Sequence, residues 1–211
     1  MRRLVLTFLF VLVVAGLLSA DPVSCGPQLT VAQLKAFSAG GGCFDMDKLY
    51  TNFDTSLPGN TGVLINTFSP SSGIDYHQFQ LVNISPGSYL VTYTISVIPP
   101  SLGLITSVQV AVDIAPGTAS VAKTVTDGDF TGIVPTSFGP STKLPLVPGH
   151  TTLNVSESIT VNAGSQINSV TDTYVEEFPS SGVPETASAG LMVGGLALIG
   201  LGVLKRKKRA M

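Results

Sequence analysis

The sequence predicts a mainly β fold: an antiparallel β-sandwich with one short N-terminal helix, followed by a C-terminal transmembrane helix. Three observations predict the β body. Apolar and polar residues alternate along several short segments, Gly and Pro pairs separate these segments, and a single short segment has a helical pattern. Short strands with turns at close intervals favour a sandwich, and a closed barrel is the alternative.

The first twenty residues have the pattern of a signal peptide. Arg2 and Arg3 precede an apolar stretch of fifteen residues, 4–18, and the small pair Ser19-Ala20 follows it. Fifteen apolar residues are short for a bilayer, which needs about 20, so cleavage before Asp21 is favoured over an uncleaved membrane anchor. Residues 21–176 are then expected to form one extracytoplasmic domain.

The start of this domain contains both cysteines of the chain, Cys25 and Cys43. In an oxidising compartment the expected state is a disulfide between them, which would contribute roughly 3 kcal/mol by closing the loop. The alternative, a metal site, lacks a histidine cluster. Between the cysteines, Thr30 and Gln33 have capping-box spacing and three glycines occupy 40–42, so one short helix is predicted there.

The rest of the domain carries the strand patterns. Alternation with a period of two extends over 88–97, 108–114 and 153–161, and Ile167, Val175 and Phe178 mark a last segment. The segments are separated by turn signals, namely Pro86-Gly87, Pro99-Pro100, Pro116-Gly117, Asp127-Gly128-Asp129 and Pro148-Gly149.

Charge is distributed unevenly along the chain. All thirteen acidic residues lie between Asp21 and Glu185, and the same region has four basic residues, which gives it a net charge of −9. Such a body is not expected to bind nucleic acid, because phosphate backbones require basic surfaces.

The C-terminal region has the features of a membrane tail. A short linker, 177–182, precedes an uncharged stretch of eighteen residues, 187–204, which is predicted to cross the membrane. The basic end that follows consists of Lys205, Arg206, Lys207, Lys208 and Arg209. Basic flanks stay on the cytoplasmic side, so the prediction is a single-pass precursor in the inner membrane with its body outside and its C-terminus in the cytoplasm.

A short motif stands between the linker and the predicted span. It consists of Val183, Pro184, Glu185 and Thr186, and with the span and basic end it forms a tail over 183–211. This tail resembles the PEP-CTERM sorting signal, the substrate tail of exosortases. The family pattern is Val-Pro-Glu-Pro, so the first three positions match and Thr186 departs from the second proline. Pro184-Glu185-Thr186 also resembles the core of the sortase motif Leu-Pro-x-Thr-Gly, which remains the alternative.

A second resemblance lies at the start of the domain. Gly42, Cys43 and the segment 47–53 are similar to the Gly-Cys…Asp-Lys…Phe…Phe opening of many PEP-CTERM ectodomains, with Tyr50 where phenylalanine is common. Core packing is the expected role of Tyr50 and Phe53.

Together the resemblances imply a non-enzymatic surface or secreted protein. An exosortase would process the tail, and the released or attached body would associate with an exopolysaccharide or biofilm matrix. The alternatives are a carbohydrate-binding or adhesive module retained as a type I membrane protein, and a sortase-anchored wall protein.

The sequence predicts no catalytic, cofactor-binding or metal site. The two histidines, His77 and His150, have no metal-binding spacing, and no hydrolase elbow, phosphate loop or dinucleotide motif occurs. His77 is interpreted as a surface or strand-end residue. A secreted hydrolase would instead require His77 and carboxylates to converge in one cleft.

Overall fold

A computed structural model describes residues 21–178 except 72, 100, 102, 116 and 139–142. The described chain is mainly β, with two antiparallel-rich sheets and one short helix, which confirms the predicted class. The predicted signal peptide, sorting motif, transmembrane helix and basic end lie outside the described residues.

The first sheet has seven strands in the order β1-β3-β4-β7-β13-β9-β10. Its strands are β1 (Val23–Ser24), β3 (Cys43–Asp45), β4 (Lys48–Thr55), β7 (Gly87–Val97), β13 (Thr152–Val161), β9 (Ala119–Asp127) and β10 (Phe130–Val134). Every pair is antiparallel except β1 with β3.

The second sheet has the order β11-β8-β14-β6-β5-β2, and β12 also pairs with β8. Its strands are β11 (Thr136–Phe138), β8 (Leu104–Ile114), β14 (Ile167–Glu177), β6 (Ile74–Ile84), β5 (Gly62–Ser71), β2 (Gln28–Thr30) and β12 (Leu144–His150). Only the short pair of β11 with β8 is parallel within this described sheet. Glu177, the first residue of the predicted linker, still pairs with Ile74 and Leu104 and ends β14.

The helix, α1 (Val31–Ala39), forms where the capping signal predicts it. Thr30 Oγ1 accepts from the Gln33 backbone N–H at 3.3 Å, and the Thr30 N–H donates to Gln33 Oε1 at 2.8 Å, which satisfies two otherwise unpaired donors. After the helix, Gly42 adopts φ +104°, and a Cβ there would lie 2.5 Å from the carbonyl oxygen of Tyr50. Glycine is therefore required for the chain to enter β3.

The inner faces of the two sheets share one apolar core. Alternate residues of β7, β8 and β13 are buried as predicted, and Tyr50 and Phe53 pack in the core as expected. The rings of Phe79, on the second sheet, and Tyr93, on the first, stack at 4.6 Å. The sheets therefore face each other, and their side chains meet in the interior.

Candidate functional site

Of the predicted site residues, the structure describes the cysteine pair. Cys25 and Cys43 form a disulfide with Cα atoms 4.9 Å apart, and both are buried. The prediction of this bond is confirmed. It joins the residue that follows β1 to the first residue of β3 and so fixes the N-terminal segment against the first sheet.

The unexpected feature of the body is a set of charged side chains between the sheets, in two clusters. The first, the Lys48 cluster, consists of Lys48, Glu176, His77 and Asp47. Lys48 Nζ lies 2.5 Å from Glu176 Oε2 and 2.7 Å from Asp47 Oδ1. His77 Nε2 lies 3.1 Å from the same Glu176 oxygen. The side chains of Lys48, Glu176 and His77 are inaccessible to solvent, whereas that of Asp47 is 24% exposed.

Asp47 keeps its charge in this cluster. Burial alone would raise the pKa of Asp47, but hydrogen bonds from Lys48 and Ser101 and the Lys48 charge outweigh burial and lower it. On the other side of the imidazole, Thr67 Oγ1 lies 2.9 Å from His77 Nδ1 and donates to Asp45 Oδ2 at 2.6 Å. The cluster is therefore a connected ion-pair and hydrogen-bond network.

The position of His77 shows that one interpretation of the sequence was wrong. His77 was expected at the surface or at a strand end, but it lies within β6 and is fully buried. His77 does lie close to two carboxylates, Asp47 and Glu176. One ligand atom from each of the three residues lies within 4.8 Å of the other two, which is a spacing that could hold a metal ion. The Lys48 ammonium, however, contacts both carboxylates and so supplies the positive charge that a cation would bring. Two of these three side chains, His77 and Glu176, are inaccessible to solvent, so among the described residues the set does not open as a substrate cleft.

The second group, the Lys123 cluster, consists of Lys123, Asp172, Glu157, Tyr93 and Tyr174. Lys123 Nζ contacts Asp172 Oδ2 and donates to Tyr174 Oη at 3.0 Å and to Tyr93 Oη at 3.3 Å. Tyr93 Oη donates to Asp172 Oδ2 at 2.5 Å and lies 2.6 Å from Tyr174 Oη. No member is more than 2% exposed, so these groups interact in a dry environment.

Glu157 is the protonated member of the Lys123 cluster. Burial, and next the charge of Asp172, raise the pKa of Glu157 to about 8. With a carboxylate at both positions, both Glu157 oxygens and Asp172 Oδ1 would be buried without a hydrogen-bond partner. A proton on Glu157 allows it to donate to Asp172, an interaction that itself favours the protonated form. Burial first, and the Asp172 charge second, also raise the pKa of Tyr93 and Tyr174, which therefore stay neutral.

A different kind of surface lies on the outer face of the second sheet. Phe68, on β5, is 46% exposed and stacks on Tyr76 of β6 with ring centroids 5.0 Å apart and planes at 9°. Lys143 Nζ lies 5.9 Å from the Tyr76 ring centre. The next row of outward residues across four strands carries amide or hydroxyl groups: Asn66, Gln78, Thr173 and Gln109. We call these residues the aromatic-amide face.

Sequence reasoning missed both buried clusters, although a signal for them exists. Along β14, Asp172 and Glu176 stand at alternate positions with Val170 and Tyr174, on the side that becomes buried. Lys123 and Glu157 likewise stand among inward apolar residues of β9 and β13. Charged residues of opposite sign on the apolar faces of different strands therefore indicated buried ion pairs.

Comparisons with known proteins give no family assignment, because neither a family model nor a curated protein matches this chain. The described residues contain one helix, α1, and it has neither the length nor the hydropathy needed to cross a bilayer.

Proposed function

We propose that this protein is an exported, non-enzymatic surface or secreted protein whose tail, 183–211, is read by an exosortase and whose β-sandwich body acts outside the cell. The observation that carries the proposal is the buried Cys25–Cys43 disulfide, because such bonds persist in oxidising compartments. The N-terminal signal pattern and the Val-Pro-Glu motif at 183–185 also support export and processing. In this scheme the span at 187–204 holds the precursor in the inner membrane until processing.

The experiment follows both sides of the motif in the native host. One epitope tag is placed between Gly182 and Val183 and another after Met211, and each is located in membrane, periplasmic and medium fractions. We expect the first tag to separate from the second. Retention of both tags together in the inner membrane would contradict processing.

Variants of the motif distinguish the two processing enzymes. Glu185→Ala should block separation of the tags, whereas Ser181→Ala, in the preceding linker, should not. Thr186→Pro restores the Val-Pro-Glu-Pro pattern of exosortase substrates and removes the threonine shared with sortase substrates. Normal processing of Thr186→Pro therefore supports exosortase, and loss of processing supports sortase.

A second candidate function, carbohydrate binding, is supported by the aromatic-amide face. Neighbouring strands lie about 4.8 Å apart, so Phe68 and Tyr76 present adjacent rings on a pleated surface. Rings of this kind pack against the apolar faces of sugar rings, while amide and hydroxyl side chains can hydrogen-bond sugar hydroxyls. The row of Asn66, Gln78 and Thr173 beside the ring pair suits a neutral glycan chain lying across the strands.

Binding to the exopolysaccharide of the host, measured by calorimetry, tests this candidate. Phe68→Ala should weaken binding roughly tenfold, which corresponds to about 1.4 kcal/mol. Ile133→Ala is the matched control, because Ile133 is 75% exposed on β10 of the other sheet. Equal binding by both variants would show that the aromatic-amide face is not the glycan site.

A further inference from the structure

The Lys123 cluster holds an amine and a carboxyl group in contact, with a second carboxyl group beside them. We propose that this cluster is a self-modification site, at which Lys123 Nζ and Asp172 Cγ become joined by an intramolecular amide bond, with Glu157 as the proton-transfer group. The inference depends on the folded body and not on the sorting tail.

The three residues come from three strands that the fold brings together. Lys123 on β9 and Glu157 on β13 are direct cross-strand neighbours in the first sheet. Asp172 lies on β14, a strand between β6 and β8 in the second sheet. The Lys123 ammonium contacts an oxygen of the Asp172 carboxyl, so the reacting groups already touch across the two sheets.

The surroundings of the reacting groups exclude solvent. Lys123 and Glu157 are 0% exposed and Asp172 is 1% exposed. The Lys123 Nζ lies 5.1 Å from the ring centre of Tyr174 and 5.5 Å from that of Tyr93, so aromatic rings enclose the amine. Transfer of a proton from the Lys123 ammonium to the Asp172 oxygen that it contacts yields a nucleophile and an electrophile together.

The reaction is chemically balanced and needs no co-reactant. The lone pair of the neutral Lys123 Nζ attacks Cγ of the protonated Asp172 carboxyl, which forms the N–C bond. Glu157 donates its proton to the departing Asp172 hydroxyl and takes one from Nζ, while the C–O bond breaks and water leaves. Glu157 is thus regenerated, and one amine and one carboxylic acid have become one amide and one water. Nothing is oxidised or reduced.

Glu157 is suited to this role because it is already protonated and next to Asp172. Because the pKa of Glu157 is raised, its carboxyl group is available as a proton donor near neutral pH. Its hydrogen bond to Asp172 places the proton beside the carboxyl group whose C–O bond breaks. Replacing two buried charges by a neutral amide also removes the cost of keeping ions out of water.

The Lys48 cluster provides an internal comparison. Lys48 and Glu176 are equally buried, but Glu176 Oε2 lies between two nitrogen atoms, Lys48 Nζ and His77 Nε2. The neighbouring acid, Asp47, has a lowered pKa and remains charged, and its Oδ1 also contacts Lys48 Nζ. The Lys48 cluster therefore has the geometry of an ion pair and lacks the protonated carboxyl that the Lys123 cluster has.

Peptide mapping of the full chain tests the proposal. The purified protein is reduced, unfolded and digested with trypsin, which cleaves after lysine and arginine, and the fragments are weighed. An amide at Lys123 blocks cleavage there, so the segment 49–143 should be recovered joined to the fragment that begins at Leu144. That fragment ends at Lys205 in the unprocessed chain and at the processing site in the processed protein. The joined pair should be lighter than the two separate fragments by one water. Free fragments 49–123 and 124–143, with the fragment from Leu144 at its full mass, would overturn the proposal.

Variants then identify the role of each group. Asp172→Ala should give only separate fragments. Asp172→Asn can form the same amide by releasing ammonia, so its joined fragment should have the same mass as that of the natural protein. Glu157→Gln should lose the linkage with both reacting residues in place, whereas Lys35→Met, at an exposed ion pair, should keep it and leaves the fragment 49–143 unchanged. A complete linkage in a folded Glu157→Gln variant would refute the role given to Glu157. Peptide mapping of the natural protein tests the linkage itself even where a variant does not fold.

Discussion

Replacing Glu157 by glutamine should change how the stability of the body depends on pH. The ordinary pKa of this carboxyl is 4.5, and in the folded protein it is raised to about 8, first by burial and then by the charge of Asp172. The folded state therefore holds the Glu157 proton more tightly than the unfolded chain does. Glutamine has nearly the same shape, remains neutral and can still donate a hydrogen bond to Asp172.

The size of the effect follows from the two pKa values. The interval between 4.5 and about 8 corresponds to about 5 kcal/mol, at about 1.4 kcal/mol per pKa unit. This stabilisation is fully present below about pH 4.5 and is lost as the pH rises through about 8, because unfolding then no longer has to release the proton. Between pH 6 and pH 9 the Glu157 contribution to the free energy of unfolding should fall by about 2 to 3 kcal/mol.

Urea unfolding of the natural protein and the Glu157→Gln variant at a series of pH values measures this contribution. The histidines and other groups are common to both proteins, so the difference between their free energies of unfolding isolates Glu157. We expect the natural protein to lose stability relative to the variant as the pH rises. Where Lys123 and Asp172 are joined by an amide, both of their charges are gone and burial, the largest cause, still keeps the pKa of Glu157 raised, so the pH dependence keeps its sign. Loss of that link in the variant adds an offset that does not depend on pH. Parallel curves for the two proteins would refute the assignment of a buried, protonated Glu157.

Two further stability predictions concern the disulfide and the Lys48 cluster. Replacing Cys25 and Cys43 together by alanine should lower the free energy of unfolding by roughly 3 kcal/mol, since it reopens a closed loop. Reduction of the natural protein should have a similar effect. An unchanged urea midpoint in the double variant and in the reduced protein would contradict this prediction. Lys48→Met should cost about 3 to 5 kcal/mol, because it removes the buried ammonium that contacts both Glu176 and Asp47. Lys35→Met is its control and should change little, because Lys35 and its partner are 41% and 82% exposed. An equal effect of the two lysine substitutions would show that burial does not determine the strength of these pairs.

Local signals in the sequence predicted much of the local structure, although Pro148-Gly149, predicted as a turn, lies within β12 (Leu144–His150). The helix begins after Thr30 because the capping box depends on two residues three positions apart, and strands such as β7 and β13 show their buried faces by alternation alone. The turn at Asp127-Gly128-Asp129 also forms as expected, with Gly128 at φ +54° between β9 and β10. Each of these features depends on neighbours along the chain.

Strands β5 and β6 were not predicted, and both buried clusters were missed. The inward positions of these strands include Thr67 and His77, which interrupt the apolar alternation that marks a buried face. Thr67 and His77 are accommodated because Asp45 and Glu176, from distant parts of the chain, supply hydrogen-bond partners. A polar residue in the interior is stable only when such a partner exists, and the sequence of one strand does not contain that information.

The sequence by itself determined the mainly β class, the single short helix, the cysteine pair and the expectation of an exported chain with a processed tail. Only the tertiary structure decided that Lys123, Glu157 and Asp172 meet in a dry interior, and that Phe68 and Tyr76 stack on the outer face of the second sheet. The physical reason is that periodicity and capping are properties of adjacent residues, whereas ion pairing and proton affinity depend on distance and burial. Those two quantities are fixed only when strands β9, β13 and β14 are brought together by the packing of the two sheets.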